Sequence, residues 1–500
     1  MTSFSRRNLL QLFAASASAA AVASGSVVAR GDGAPVPIPW PTPRRVLEIF
    51  LRGGASCWGS FWRDDELGGD LLLPEPAGTQ DVSFSSWSLI TGGAVPPANL
   101  VWRTRSMGQA AGPLFRTYAT PAGPRKLANH MRIIRMGHAL EPHELAIPYA
   151  ITGTTLGRPS MFGLGAAISK HVGLLGTRPI PRLGVRSLIF QTGTDAYDSL
   201  AANYAATYGV HGASHQPPII PLGNMTFYDA LLRPGLKDSD ALKTFYRSRY
   251  EVLLKKGGIG DTTRSAGWSS YQAAFDALVL RSQSIHDLLD DHSTRLFTPP
   301  AVVDYHAHNL TREAIRAAVD LLATGQLDHA AVIDGGVEKD YDTHNGSVTA
   351  TFADNAISAA AVQNGNIWNV CDTLANHISQ ILDNNITVVI NTEFGRKEKL
   401  GANTGTEHHT PGYVNVVLSK LITSPAFVGG IDAVDDSVAR YVPGCVVGPS
   451  GTAPASFLPT DVHAALASLV GMDPWGAGMY DGGLSCLGTG STPATTLLGV

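Results

Sequence analysis

Twice in this chain a run with helical spacing of apolar residues passes through a short turn into a strand-like run. No other feature restricts the fold as much. "TREAIRAAVDLLATGQ" (311–326), with Thr311 near its N-cap, feeds "HAAVID" (329–334). "IWNVCDTLANHISQIL" (367–382) feeds "ITVVIN" (386–391). Helix followed by strand, repeated, argues for an α/β domain with a largely parallel sheet. Further strands are expected at "RVLEIFL" (45–51), "MRIIRM" (131–136), "VRSLIF" (185–190) and "YVNVVL" (413–418). Helices are expected within 225–295 and at "PTDVHAALASLVGM" (459–472), and residues 62–125, punctuated by Gly and Pro, read as an irregular excursion. No internal repeat is visible.

Polar residues follow these strand runs closely. Gly53, Gly54, Ala55, Ser56 and Cys57 come after the first, and His138, Glu141 and His143 after 131–136. Asp340, Asp342 and His344 come after 329–334, and Glu393 after 386–391. In a parallel α/β sheet the carboxyl ends of the strands share one edge, and ligand sites form there. Residues hundreds of positions apart are therefore expected at one rim. Imidazoles and carboxylates gathered there are a suitable ligand set for Zn²⁺, Mn²⁺ or Fe.

The stretch "NTEFGRKEKLGANTGTEHHTPGYVNVVL" (391–418) carries Glu393, then Glu407, His408 and His409 just before the next strand. Adjacent residues of an extended segment point to opposite faces. One of the two histidines is therefore expected to ligate, and the other to bind substrate or pack. Plainer readings stand beside these: a lone histidine is a surface or core hydrogen-bonding residue, and Glu393 pairs with Arg396.

"SRRNLLQLFAASASAAAVASGSVVA" has paired arginines, Arg6 and Arg7, a mild apolar run and a small-residue cleavage site at Ala21-Val22-Ala23. Residues 1–29 read as a twin-arginine (Tat) signal peptide, which makes the Tat translocase a partner during export and the mature protein periplasmic or extracellular. Residues 30–44 form a Pro-rich linker. No later stretch reaches the ~18 continuous apolar residues of a membrane span. The net charge of −4 and the lack of a basic stripe argue against nucleic acid as a partner. The four cysteines show no CxxC spacing, so a structural zinc knot is not expected; Cys445 and Cys486, both in the loop-rich C-terminal segment, are a candidate disulfide pair.

Four stretches carry a resemblance: "FLRGGASCWGSFW" (50–62), "GHALEPHELAIPYAITGTTLGRPSMFG" (137–163), "DYDTHNG" (340–346) and the 391–418 segment, with "PTDVHAALASLVGMDP" as a terminal helix. In order and content they resemble the domain-of-unknown-function family 1501, Tat-exported proteins of the alkaline phosphatase-like (sulfatase-like) superfamily. The resemblance implies an αβα sandwich over 45–500, with a helical insertion near 225–295. It also implies divalent metal and hydrolysis of phosphate or sulfate esters.

Sulfatase-like members place a nucleophile nine residues before a "TG" pair. Counting back from Thr152 reaches His143 instead. Cys57 is followed by Trp58-Gly59-Ser60, without the Pro and Arg that formylglycine formation needs. The acid usual at the end of the first strand is missing; Ser56, Cys57 and Ser60 stand there, with Asp64 and Asp65 farther on. Glu407 replaces the usual Asp before the late histidine.

On this basis the metal set is expected from Asp342, His344, Glu393, Glu407 and His408. His143 stands beside it as ligand or nucleophile, and His409 is a general acid. Arg396 or Arg158 holds an anionic group, and His138, Ser56 and Cys57 line the substrate. Two other readings stay open: a non-catalytic exported envelope or assembly protein that keeps the fold, and a metal enzyme acting on another substrate such as a carbohydrate polymer.

Overall fold

The computed structural model describes residues 44–55, 61, 112–155, 162–175, 186–192, 217–222, 248, 310–336, 341–342, 356–400, 406–410, 412–428, 430–433, 441–444, 457–476, 480, 487 and 492–500. The signal peptide, the linker, and Ser56, Cys57, Arg158, Asp340, His344, Cys445 and Cys486 lie outside these residues. So do the 225–295 helices, apart from Ser248. Glu407 is described in its backbone alone.

The strands of the central sheet are β1 (Arg45–Leu51), β4 (Met131–Met136), β5 (Ser187–Gln191), β6 (Ile219–Pro221), β7 (His329–Asp334), β8 (Ile386–Asn391), β11 (Tyr413–Leu418) and β12 (Ala426–Val428). Three antiparallel pairs stand apart, β2 (Tyr118–Thr120) with β3 (Gly123–Arg125), β9 (Gly395–Leu400) with β10 (Thr406–His409), and β13 (Gly430–Ala433) with β14 (Tyr441–Gly444). The sheet order is β12-β4-β11-β8-β1-β7-β5-β6. β11 runs antiparallel to both its neighbours, and every other pairing is parallel.

Alternation along β1 shows why the strands read as unbroken apolar runs. Leu47, Ile49 and Leu51 face one core with Ala314, Leu322, Val370 and Leu374, from α4 (Leu310–Ala323) and α5 (Ala356–Asn376), which follow α1 (Gly112–Phe115), α2 (His143–Thr152) and α3 (Leu164–Leu175) in the chain. Val46 faces the other side with Ile168 of α3 and Val462 and Leu466 of α7 (Pro459–Leu469), which follows α6 (Ile378–Asp383). Phe50 meets Ile147 and Ala150 of α2 on that second side. A sheet covered by helices on both faces favours apolar residues at most positions. Each fully buried Leu, Ile or Phe contributes about 1.5–3 kcal/mol. The chain is thus of the α/β class, as the helix–strand alternation requires.

Several local readings change. The helix expected over 367–382 is two helices, broken at His377, whose ring nitrogen Nδ1 bonds the Thr373 carbonyl at 2.7 Å. α2 has no counterpart in the sequence reading, because Pro148 lies inside it. Proline removes one backbone donor, but the chain tolerates it in a helix that is buried along most of its length. α2 ends where Gly153 takes the left-handed conformation, φ 68°. The described part of the 62–125 excursion is ordered as α1 and the β2–β3 hairpin. Among the described residues no helix is long and apolar enough to cross a membrane.

Candidate functional site

β1, β4, β7 and β8 all end on one rim of the sheet, and β11, running the other way, begins there. Pairing of Leu51 with Asp334, Phe50 with Asn391 and Tyr413 with Met136 fixes this alignment. The connections after β1, β4, β7 and β8, and the β10–β11 connection, therefore meet.

Glu393 sits at their centre with 0 % exposure. Its Oε1 accepts the Gly53 N–H at 2.7 Å and bonds His143 Nδ1 at 3.0 Å, and its Oε2 lies 3.1 Å from the Thr392 hydroxyl, whose hydrogen goes to the nearer Leu51 carbonyl at 2.8 Å. Its backbone carbonyl accepts the His138 Nε2–H at 2.6 Å. Glu393 was expected as a metal ligand. In this geometry its Oε1 serves two protein donors, and it stands behind His143 as an orienting carboxylate.

His143 opens α2, held by a buried carboxylate at Nδ1. The Nδ1–H is then the donor and Nε2 presents a lone pair. That atom faces His408 Nε2 at 3.1 Å and Asp342 Oδ2 at 4.0 Å. The His408 ring packs on Phe394, centroids 4.1 Å apart, and stands edge-on to His143 at 4.7 Å. His409, next in the chain, is 1 % exposed. Strand alternation thus divides the pair, His408 toward His143 and His409 into the interior, where a general acid would not meet solvent-borne substrate.

Arg396 was expected to grip an anion. It is instead 0 % exposed, donating from Nε to the Gly54 carbonyl at 3.0 Å and from Nη2 to the Gly53 carbonyl and to Asp342 Oδ1, the last at 3.0 Å. It ties the β1 exit to Asp342. His138, expected against substrate, has both ring nitrogens engaged by backbone: Nε2 by Glu393 and Nδ1 by the Leu140 N–H at 3.1 Å. Burial lowers its pKa, opposed by the Glu393 carbonyl and then by the Glu393 charge.

The sequence reading passed over the supports of this site. Gly53 and Gly54 have φ of +114° and +81°. A Cβ on Gly53 would strike the Tyr341 and Asp342 backbone, and one on Gly54 the Phe394 ring. The "GG" directly after a strand was the available signal. Asp334, at the end of β7, accepts the Thr311 hydroxyl at 2.6 Å and the Gly336 N–H at 2.8 Å on Oδ1, and the Tyr341 hydroxyl at 2.7 Å on Oδ2. Burial, then the Asp334 charge, raises the Tyr341 pKa, which keeps the phenol a donor. Since the Tyr341 N–H also bonds the Arg52 carbonyl at 2.9 Å, Asp342 issues from an anchored neighbour.

Among the described residues no group of three or more His, Cys, Asp or Glu side chains is arranged to hold a metal ion. His344 and the Glu407 side chain, adjacent in sequence to this cluster, lie outside them. Comparison with known proteins finds no matching family model, no matching curated protein and no matching solved structure.

Proposed function

We propose that this chain is an exported metal-dependent hydrolase of the alkaline phosphatase-like class, acting on phosphate or sulfate esters. The observation that carries this reading is the pair of imidazole nitrogens, His143 Nε2 and His408 Nε2, facing each other at 3.1 Å with Asp342 beside them. Two nitrogens on one tetrahedral Zn²⁺ at about 2.0–2.1 Å stand roughly 3.3–3.4 Å apart, so the pair needs only a few tenths of an ångström to share an ion. The carboxylate on His143 Nδ1 is the arrangement that prepares an imidazole for a metal.

His143 and His408, with Asp342 drawn in from its 4.0 Å separation, would hold a divalent cation, Zn²⁺, Mn²⁺ or Fe, and the family resemblance adds His344 and Glu407. Such a cation supplies Lewis acidity toward an ester oxygen and acidifies a water molecule. The protein's own share is positional. Glu393 fixes the His143 tautomer, Arg396 holds Asp342, and Phe394 supports the His408 ring.

Elemental analysis of protein purified from the periplasm, followed by a panel of phosphate and sulfate esters, tests this. Divalent metal in stoichiometric amount is expected, with metal and turnover both lost in His143→Ala and His344→Ala. Turnover that survives both substitutions removes the site.

One observation favours a second reading, a non-catalytic exported envelope or assembly protein. The described β1 exit, Arg52–Gly53–Gly54–Ala55, offers no carboxylate. A metal-free protein of undiminished stability would put that reading first.

A further inference from the structure

Away from the rim, Ser187, His329 and Glu48 form a hydrogen-bonded line across β5, β7 and β1. Ser187 Oγ lies 2.7 Å from His329 Nδ1, and His329 Nε2 lies 2.7 Å from Glu48 Oε2. The composition is that of a nucleophilic triad, but its surroundings forbid the chemistry. Ser187 is buried, and Gly165 of α3 presses so close that a Cβ there would collide with Ser187 Oγ and the His329 ring. In the neutral imidazole the proton order follows: the carboxylate takes the His329 Nε2–H, so Nδ1 takes the serine O–H.

Glu48's other oxygen, Oε1, faces His463 Nε2 at 3.8 Å, too far for a direct hydrogen bond. His463, on α7, is 1 % exposed, and its Nδ1 bonds the Pro459 carbonyl at 2.9 Å. A carbonyl only accepts, so Nδ1 carries the proton and Nε2 of the neutral ring is a lone pair. Two acceptors thus confront each other in the interior. Neither His463 Nε2 nor the hydroxyl of Tyr480, 3 % exposed and with its ring centroid 6.4 Å from that of His463, has a hydrogen-bond partner. Burial, then the Glu48 charge, raises the Tyr480 pKa, so this hydroxyl stays a donor beside the carboxylate.

We propose that Glu48, His463 and Tyr480 enclose a binding site for one water-sized guest, a water molecule. It donates one hydrogen to Glu48 Oε1 and one to His463 Nε2, and accepts the Tyr480 O–H. The valences match one for one: two acceptors and one donor on the protein, two donors and an accepting lone pair on water. A buried water commonly serves about three such groups. The site extends the Ser187–His329–Glu48 line from the sheet into α7. It does not depend on the hydrolase reading.

A high-resolution crystal structure of the full mature chain tests the site. The expected result is one spherical peak about 2.7–3.2 Å from Glu48 Oε1 and His463 Nε2, without anomalous signal. A peak about 2.0–2.2 Å from both, with anomalous signal, means a metal ion and overturns the proposal. So does a direct His463–Glu48 contact with no peak between. The Tyr480→Phe variant supplies a second check, because it removes the one donor while leaving Glu48 and His463 in place. Its crystal structure is expected to show the peak at reduced occupancy, and a peak at full and unchanged occupancy contradicts the three-partner site.

Discussion

Glu393→Gln isolates what a buried charge does for the candidate site. The amide oxygen can still accept from Gly53 N–H and His143 Nδ1–H, which lie 2.7 and 3.0 Å from the carboxylate Oε1. The new NH₂ then replaces Oε2 opposite the Thr392 hydroxyl, which already donates to the Leu51 carbonyl at 2.8 Å and can accept. Hydrogen bonds are conserved and the negative charge is removed. Stability should fall by only about 1 kcal/mol, since charged acceptors exceed neutral ones by roughly that much.

Cation affinity should fall about 10–100-fold, the usual cost of losing the carboxylate behind a ligating imidazole. Glu393→Ala differs: it strands the Gly53 N–H and the His143 Nδ1–H in the interior, each at about 1–3 kcal/mol, and opens a cavity as well. Chemical denaturation measures the first quantity, and titration calorimetry with Zn²⁺ and Mn²⁺ the second. If Glu393→Gln binds these ions as tightly as the unaltered protein does, Glu393 does not prepare His143 for a metal and the reasoning fails.

Three further outcomes are expected. Gly53→Ala combines a backbone of φ +114° with a collision against the backbone of Tyr341 and Asp342, so a loss of about 1–3 kcal/mol or more is expected in thermal unfolding, and an unchanged melting temperature would refute the close approach. Tyr341→Phe removes a donor to a buried carboxylate at 2.7 Å and should cost about 1.5–3 kcal/mol by denaturant titration, with Asp334 left one partner short. The His138 pKa is lowered by burial, so below the unfolded value of about 6.5 the unfolded chain binds the proton the folded chain refuses. Stability should therefore fall as pH drops from about 6.5 toward the folded pKa, and His138→Gln should flatten that slope in denaturation curves taken across the window.

The strands with nearly continuous apolar runs were legible because burial on both faces favours apolar residues at most positions. "HAAVID", "ITVVIN" and "YVNVVL" form strands with the expected ends. α2 was not legible. Pro148 argues against a helix locally, and packing against Phe50 overrides it. The meeting of His143, Glu393 and Asp342 followed from the shared rim, but their division of labour did not. Sequence records that Glu393 and Arg396 are charged, not that both are sealed from solvent by Gly53, Gly54 and Phe394. Reading them as ligand and anion grip took exposure for granted. The antiparallel course of β11 was equally hidden, because an apolar strand reads the same in either direction.

That reversed strand has a consequence for how the rim can vary. A strand that enters where its neighbours leave joins two neighbouring strands through a path that never crosses to the far edge. The β9–β10 hairpin spans this path with both feet planted in the sheet, one after Asn391 and one before Tyr413. Its tip can lengthen, shorten or change composition while the strands beneath keep their register. Descendants of this chain could thus acquire new contacts with whatever occupies the rim by editing a single excursion, leaving the scaffold untouched.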